Sequence, residues 1–219
     1  MERHSKQVAP VIPNVIGVIV ARQNSRRLHH KCLQRIADTT LIEFEYKRVT
    51  QAATLKEVWI ATTIKSTMIH EICRKNNILW YAGSEDDVLS RLPTVADWSK
   101  ADILVKFTAD SPLIDARHID NIVKRFLQDD ASFGFLKGFP KGMYFNMCRV
   151  GALRDLVKKI SVEDRAIWNQ LNETWVWFKY GFTIRCYEAP YDFSDINLEV
   201  NDRYDMERVR SIVIGEGDI

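Results

Sequence analysis

The chain alternates short, unbroken apolar runs with longer stretches of helical periodicity. The first run, Val15-Ile16-Gly17-Val18-Ile19-Val20, is β-branched almost throughout. A strand buried on both faces of a parallel sheet reads this way, because both sets of alternating side chains must be apolar. Comparable runs predict strands over residues 57–62, 78–81 and 102–108. Weaker patterns predict strands at 131–135, 183–188 and 197–200, and residues 143–149 read as extended. Periodicity predicts helices over 40–53, 67–76, 85–100, 115–127, 152–160, 163–180 and 202–213. Thr40-Leu41-Ile42-Glu43 has the form of a capping box, Asp115 can cap the helix after it, and Pro93 marks a kink or break inside 85–100. Strands alternate with helices from residue 15 to about 128. That order predicts an α/β fold with a mainly parallel sheet and helices on both faces.

Composition narrows this picture. A chain of 219 residues with 46% hydrophobic content suits one α/β domain. The expected division is an N-terminal tail over 1–14, a single domain over 15–214 and a C-terminal tail over 215–219. Net charge is +2, from 31 basic and 29 acidic residues, which excludes a general polyanion binder, so no nucleic-acid partner is expected. The cysteines at 32, 73, 148 and 186 include no Cys-x-x-Cys pair and read as free thiols of a reducing compartment. The apolar segment 11–20 is interrupted by Pro13 and Asn14, is too short to span a bilayer and has no cleavage-site pattern. A cytoplasmic protein without membrane association is the expectation.

In open parallel sheets, ligands bind beyond the carboxyl ends of the strands. Those ends carry complementary chemistry here. The first strand is followed by Arg22, Ser25, Arg26, Arg27 and Lys31, the third by Gly83-Ser84-Glu85-Asp86-Asp87, and the fourth by Ala109-Asp110-Ser111-Pro112. Asn201-Asp202 follow the last. Guanidinium groups bind phosphate oxygens in pairs and a lysine acts as a point charge. Asp110 and Asp202 offer hard oxygen ligands of the kind Mg²⁺ takes when it bridges phosphates. Together the four groups suit a nucleoside triphosphate with metal assistance. Each also has a plainer reading: a solvated charged loop, a turn at Asp110, and an N-cap at Asp202. His29-His30 reads as surface rather than metal ligand. Trp80-Tyr81 and Trp175-Val176-Trp177-Phe178 read as core or dimer surface.

The segment Ala21-Arg22-Gln23-Asn24-Ser25-Arg26-Arg27-Leu28-His29-His30-Lys31 resembles the opening Ala-Arg-x-x-Ser-x-Arg-Leu-x-x-Lys motif of the acylneuraminate and CMP-KDO cytidylyltransferases. Residues 83–91 resemble the Gly-Ser-Glu-x-Asp-Val-Leu-x-Arg segment of the spore-coat polysaccharide biosynthesis branch, and residues 108–115 its Thr-Gly-Asp-x-Pro-Leu-Ile-Asp segment. The resemblance is good over about 15–130 and weak to about 214. It implies a Rossmann-like nucleotidyltransferase fold, commonly dimeric. It also implies transfer of CMP from CTP to a sugar acid or related sugar, with release of pyrophosphate, in surface-polysaccharide or glycan precursor synthesis. Carried over, Arg22, Lys31 and Asp110 would be catalytic. Ala21, Arg22, Ser25, Arg27, Lys31, Ser84 and Asp87 would bind the nucleotide. Asp110 would hold Mg²⁺, with Asn201 and Asp202 as further candidate ligands.

The chain departs from the family at the inferred site. Asn24 stands where the family has glycine, and His29-His30 where it has Pro-Gly. Lys141-Gly142-Met143-Tyr144-Phe145-Asn146 replaces Asp-Gly-Leu-Asp-Val-Glu, removing two carboxylates. Asn201 stands at the expected second metal ligand. Two alternatives therefore stay open: a nucleotide-binding relative without turnover, and a nucleotidyltransferase using another base or a sugar phosphate.

Overall fold

The computed structural model describes residues 12–25, 27–169 and 173–215. Arg26 and most of both expected tails lie outside these residues. Nine strands, β1 Val15–Val20, β2 Arg35–Ile36, β3 Thr39–Thr40, β4 Glu57–Thr63, β5 Leu79–Gly83, β6 Ile103–Thr108, β7 Phe133–Lys137, β8 Asn146–Arg149 and β9 Ile184–Glu188, are formed among the described residues. Eight helices accompany them: α1 Leu41–Val49, α2 Thr67–Lys75, α3 Arg91–Ser99, α4 Ala116–Gln128, α5 Val150–Lys159, α6 Val162–Asn169, α7 Glu173–Lys179 and α8 Arg203–Gly215.

Seven strands form one sheet in the order β5-β4-β1-β6-β8-β7-β9. β1 pairs in parallel with β4 and β6, and β4 with β5, so these four strands end on one edge. β8 runs antiparallel to β6 and β7, and β9 rejoins β7 in parallel. The apolar run of β1 serves both faces. Val15 and Ile19 join α1, α2 and α4 in one core cluster, while Ile16 and Val18 join α3, α5 and α7 in the other. This is the mainly parallel, doubly covered sheet that the strand–helix alternation predicts.

Three local expectations need correction. The helix foreseen over 85–100 begins only at Arg91. Pro93 is its third residue, in the first turn, where a missing N–H breaks no intrahelical bond. It opens the helix rather than kinking it, and leaves 84–90 as a loop beside the site. The helix foreseen over 163–180 is two helices, α6 and α7, and residues 170–172 of that span lie outside the described residues. The strand foreseen at 197–200 reduces to a single bridge between Lys141 and Asn197. Gly142 permits that approach: at φ +90°, its missing Cβ would lie 2.8 Å from the Leu198 carbonyl carbon.

Candidate active site

The loop after β1 is fastened from several sides. Ala21 N–H donates to Ala61 O at 3.0 Å, and the Ser66 hydroxyl accepts from Gln23 N–H at 3.1 Å. Cys32 Sγ lies 3.6 Å from Arg22 O and 3.5 Å from Ala109 O, joining this loop to the one after β6. Burial pushes the Cys32 thiol up to about 12, so it stays protonated and able to donate. His30 adopts the left-handed conformation, φ 51° and ψ 39°, and its ring stacks on His29. A backbone that wants glycine is thus formed by histidine, one of the few other residues enriched there. The left-handed position is His30; Asn24 is not among the residues with positive φ. The turn that His30 starts carries Lys31 inward.

Lys31 Nζ donates to Asp110 Oδ2 at 2.9 Å. Asp110 Oδ1 accepts from the Thr108 hydroxyl at 2.7 Å. Behind this pair, the wholly buried Glu45 accepts from Ser111 N–H at 3.1 Å, and its other oxygen has no hydrogen-bond partner. Burial first, then the nearby Asp110 carboxylate, raise Glu45 well above the usual carboxylate range. Both disfavour a charge on Glu45, whose hydrogen bond from Ser111 N–H props the Asp110 loop from behind.

Val200 N–H donates to Asp110 O at 2.9 Å, which brings the segment before α8 to the same rim. There Asn201 Oδ1 accepts from Arg27 at 2.7 Å, across 174 residues of sequence. Asp202 accepts from Asp205 N–H at 3.0 Å and caps α8, so its N-cap reading holds and it does not line the cavity described next.

The loop 84–90 forms the opposite wall. Gly83 lets it start, because a Cβ there would lie 3.0 Å from both Arg91 and Tyr81 side-chain carbons. Arg91, almost wholly buried, donates to Ser84 O at 2.8 Å and Glu85 O at 3.1 Å. From α6, Asn169 donates to Asp86 O at 2.9 Å and accepts from Val88 N–H at 3.0 Å. One turn earlier, Arg165 pairs with Asp87 at 2.8 Å.

These elements enclose a cavity of about 570 Å³. Ala21, Arg22, Ser25, Arg27, Lys31, Asp110 and Asn201 line it together, as the sequence expected. Ser84 and Asp87 do not; Ser84 Oγ accepts from Asp87 N–H and Asp87 holds Arg165, while Glu85, Asp86 and Val88 face the cavity. Arg91, Lys106, Thr108 and Asn169 also line it, and none was assigned from sequence. Lys106 carried a signal, as the lone charge in an otherwise apolar central strand. Asn169 carried none.

Among the described residues, no group of three or more His, Cys, Asp or Glu converges as a metal cluster. The residues present nevertheless fit Mg²⁺ bound together with a nucleotide, which takes one or two protein carboxylates and fills its shell with phosphate oxygens and water. Asp110 is the carboxylate at the cavity floor, with Asn201 Oδ1 at its rim.

Arg22, Arg27, Lys31 and Arg91 thus line a cavity at the carboxyl edge of a parallel sheet, the place where open α/β sheets bind their ligands. The cytidylyltransferase family model matches residues 16–167, and the chain belongs to that family. The spore coat polysaccharide biosynthesis protein SpsF of Bacillus subtilis is 25% identical over 158 residues, 69% of this chain and 66% of that protein. The 3-deoxy-manno-octulosonate cytidylyltransferase of Acidobacterium capsulatum is 32% identical over 117 residues, 52% of this chain and 47% of that enzyme. The matched stretches thus span about half to two thirds of the curated relatives' length. Among solved structures, a cytidylyltransferase from Leptospira borgpetersenii superposes with a TM-score of 0.85 at 25% identity, over 93% of this chain and 87% of that one. No described helix is long and apolar enough to cross a membrane.

Proposed function

We propose that the protein transfers CMP from CTP to a hydroxyl of a sugar acid or related sugar and releases pyrophosphate. The meeting of Arg22, Ser25, Arg27, Lys31 and Asp110 in the lining of one cavity carries this reading. The acceptor oxygen attacks the α-phosphorus, a new oxygen–phosphorus bond forms, and the bond to the pyrophosphate oxygen breaks. The acceptor's proton leaves to solvent, and the developing charge collects on pyrophosphate. Arg22, Arg27 and Lys31 neutralise that charge and hold the chain of phosphates in line. Asp110 would hold Mg²⁺, which supplies Lewis-acid polarisation of the phosphates when bound. The loop 84–90, braced by Arg91 and Asn169, would pack against the nucleoside through Glu85, Asp86 and Val88, which line the cavity.

One observation favours a second reading, a nucleotide-binding relative without turnover. Asn201 replaces the carboxylate of the family pattern, and its oxygen already accepts from Arg27. Pyrophosphate release from CTP with Mg²⁺ and a panel of sugars separates the two. Turnover supports transfer. A melting-temperature rise with CTP but no turnover supports the second reading, and no response to CTP removes both.

A further inference from the structure

A second cavity, of about 110 Å³, opens beside the first. Lys106 and Thr108 line both, and Tyr144, Phe145, Asn146 and Glu173 complete the smaller one. Along β6, Ile103, Val105 and Phe107 enter one core cluster and Leu104 the other. Alternation therefore puts Lys106 and Thr108 on the Leu104 face, nearer the carboxyl edge. Lys106 is the one charged residue of that strand. It stands where the main cavity meets a compartment the size of about three to four liquid waters, room for the reacting end of a sugar but not for a nucleotide.

Lys106 is aimed by its neighbours. Its Nζ donates to Glu173 Oε1, both side chains being more than nine-tenths buried. Glu173 Oε2 accepts from Asn146 at 3.1 Å, and Asn146 is the register partner of Lys106 across β6 and β8. Position 146 is one of those where the chain lacks a carboxylate of the family pattern. Glu173, reaching in from the start of α7, puts a carboxylate back beside it. Packing alone does not call for this pair, because a buried ion pair often contributes no more to stability than apolar residues of like size. An ammonium has three donors, and Glu173 is their one acceptor among the described residues. The other two N–H groups are left for ligands in the two cavities. Arg22, Arg27, Lys31 and Arg91 line the large cavity, so the combined space admits an acidic acceptor as well as a neutral one.

We infer that Lys106 is a catalytic residue of the transfer, touching the acceptor oxygen and the α-phosphate at once, and that Glu173 is the positioning residue that aims it in place of the carboxylate missing at 146. This rests on the transfer reading above and deepens it. One N–H of Lys106 donates to the acceptor oxygen and another to a non-bridging α-phosphate oxygen, which holds the reacting groups side by side and offsets the charge that grows on phosphorus. Lys106 keeps its protons throughout. The bond made, the bond broken and the proton lost to solvent are those of the transfer already described.

The test uses the full chain with Mg²⁺. NMR of protein carrying isotope-labelled lysine follows the Lys106 signal, assigned by its loss in Lys106→Met. That signal is expected to move with CTP and with CMP, whose one phosphate is the α-phosphate, and to stay in place with cytidine. Pyrophosphate release is then measured with the sugar of the panel above that turns over fastest. Lys106→Met should lower kcat about hundredfold or more, with KM for CTP changed less. Glu173→Gln should lower kcat about tenfold or more, and adding Asn146→Glu to it should restore most of the loss. A pair that only supported the fold would leave kcat of the folded variants near the wild-type value. The CTP-induced melting shift reports that each variant keeps its fold and nucleotide site. If Glu173→Gln does not fold, turnover by the double variant decides the role of Glu173; if no sugar turns over, the response to CMP decides that of Lys106. A Lys106 signal unmoved by CTP in a protein that binds CTP overturns the inference, as does wild-type kcat in folded Lys106→Met or no recovery in the double variant. Loss of the CTP response in the wild type is a separate outcome that removes the transfer reading itself.

Discussion

Lys31 Nζ and Asp110 Oδ2 stand 2.9 Å apart, joining residues 79 positions distant at the floor of the cavity. The cation suited to phosphate and the carboxylate suited to metal thus neutralise one another within the site's own wall. Under the proposed function, CTP would compete for Lys31 and Mg²⁺ for Asp110, which would couple the two binding events.

That coupling is measurable. Lys31→Met should weaken CTP binding about ten- to hundredfold, the scale of one lost charge-assisted hydrogen bond. Asp110→Asn should keep some CTP binding and lose its enhancement by Mg²⁺. Melting-temperature titrations with CTP, with and without Mg²⁺, give both answers. Undiminished Mg²⁺ enhancement in Asp110→Asn would take the metal away from Asp110.

Asn201 offers a gain-of-function test. Asn201→Asp adds a carboxylate at the rim, and Mg²⁺ affinity in the presence of CTP should rise by about tenfold. Arg27, which now donates to Asn201 Oδ1, limits the gain. Calorimetric titration of Mg²⁺ into the CTP complex reads it, and an unchanged affinity means that this segment lies off the metal.

The wall formed by 84–90 depends on Asn169. Asn169→Ala removes two hydrogen bonds to that loop and should lower stability by about 1–3 kcal/mol. The expected kinetic signature is a raised KM for CTP with kcat less affected. Arg165→Ala should do less, by about 0.2–1 kcal/mol, because the Arg165–Asp87 pair is partly solvated. Equal stability and KM in Asn169→Ala and wild type would make α6 a bystander.

The capping box of α1 gives a pH-dependent prediction. Burial alone would raise Glu43, but the Thr40 hydroxyl and N–H and the Asn76 amide donate to its carboxylate and hold it below its ordinary value. A depressed carboxyl contributes stability that is present above its ordinary value of 4.5 and lost as pH falls through the folded value. Glu43→Gln should therefore lower the melting temperature at pH 7 by about 2–4 °C, for about 1 kcal/mol. The gap should close on acidification; a gap constant with pH would mean that the charge contributes nothing.

The parallel half of the sheet was legible because its strands are buried on both faces, so burial alone writes them as apolar runs. The first-loop cations and Asp110 were legible for a related reason: charge concentrated just after such runs has few uses besides binding. What escaped notice is long-range. Nothing near Asn169 in sequence says that both ends of its amide will be spent on residues 86 and 88. The start of α3 was missed because Pro93 and the preceding acidic residues suit either a loop or a first turn. That Ser84 and Asp87 turn to Asp87 N–H and Arg165 instead of the cavity is not legible, because motif membership does not specify which side chains of a loop face inward.

The contact of Arg27 with Asn201 has a consequence for biogenesis. The loop after β1 leaves the ribosome before α6 and the segment ahead of α8. Until those segments emerge, a nascent chain carries the Arg22 and Arg27 guanidinium groups without the finished wall around them. A product cut short before Asn201 would therefore lack part of the cavity's rim.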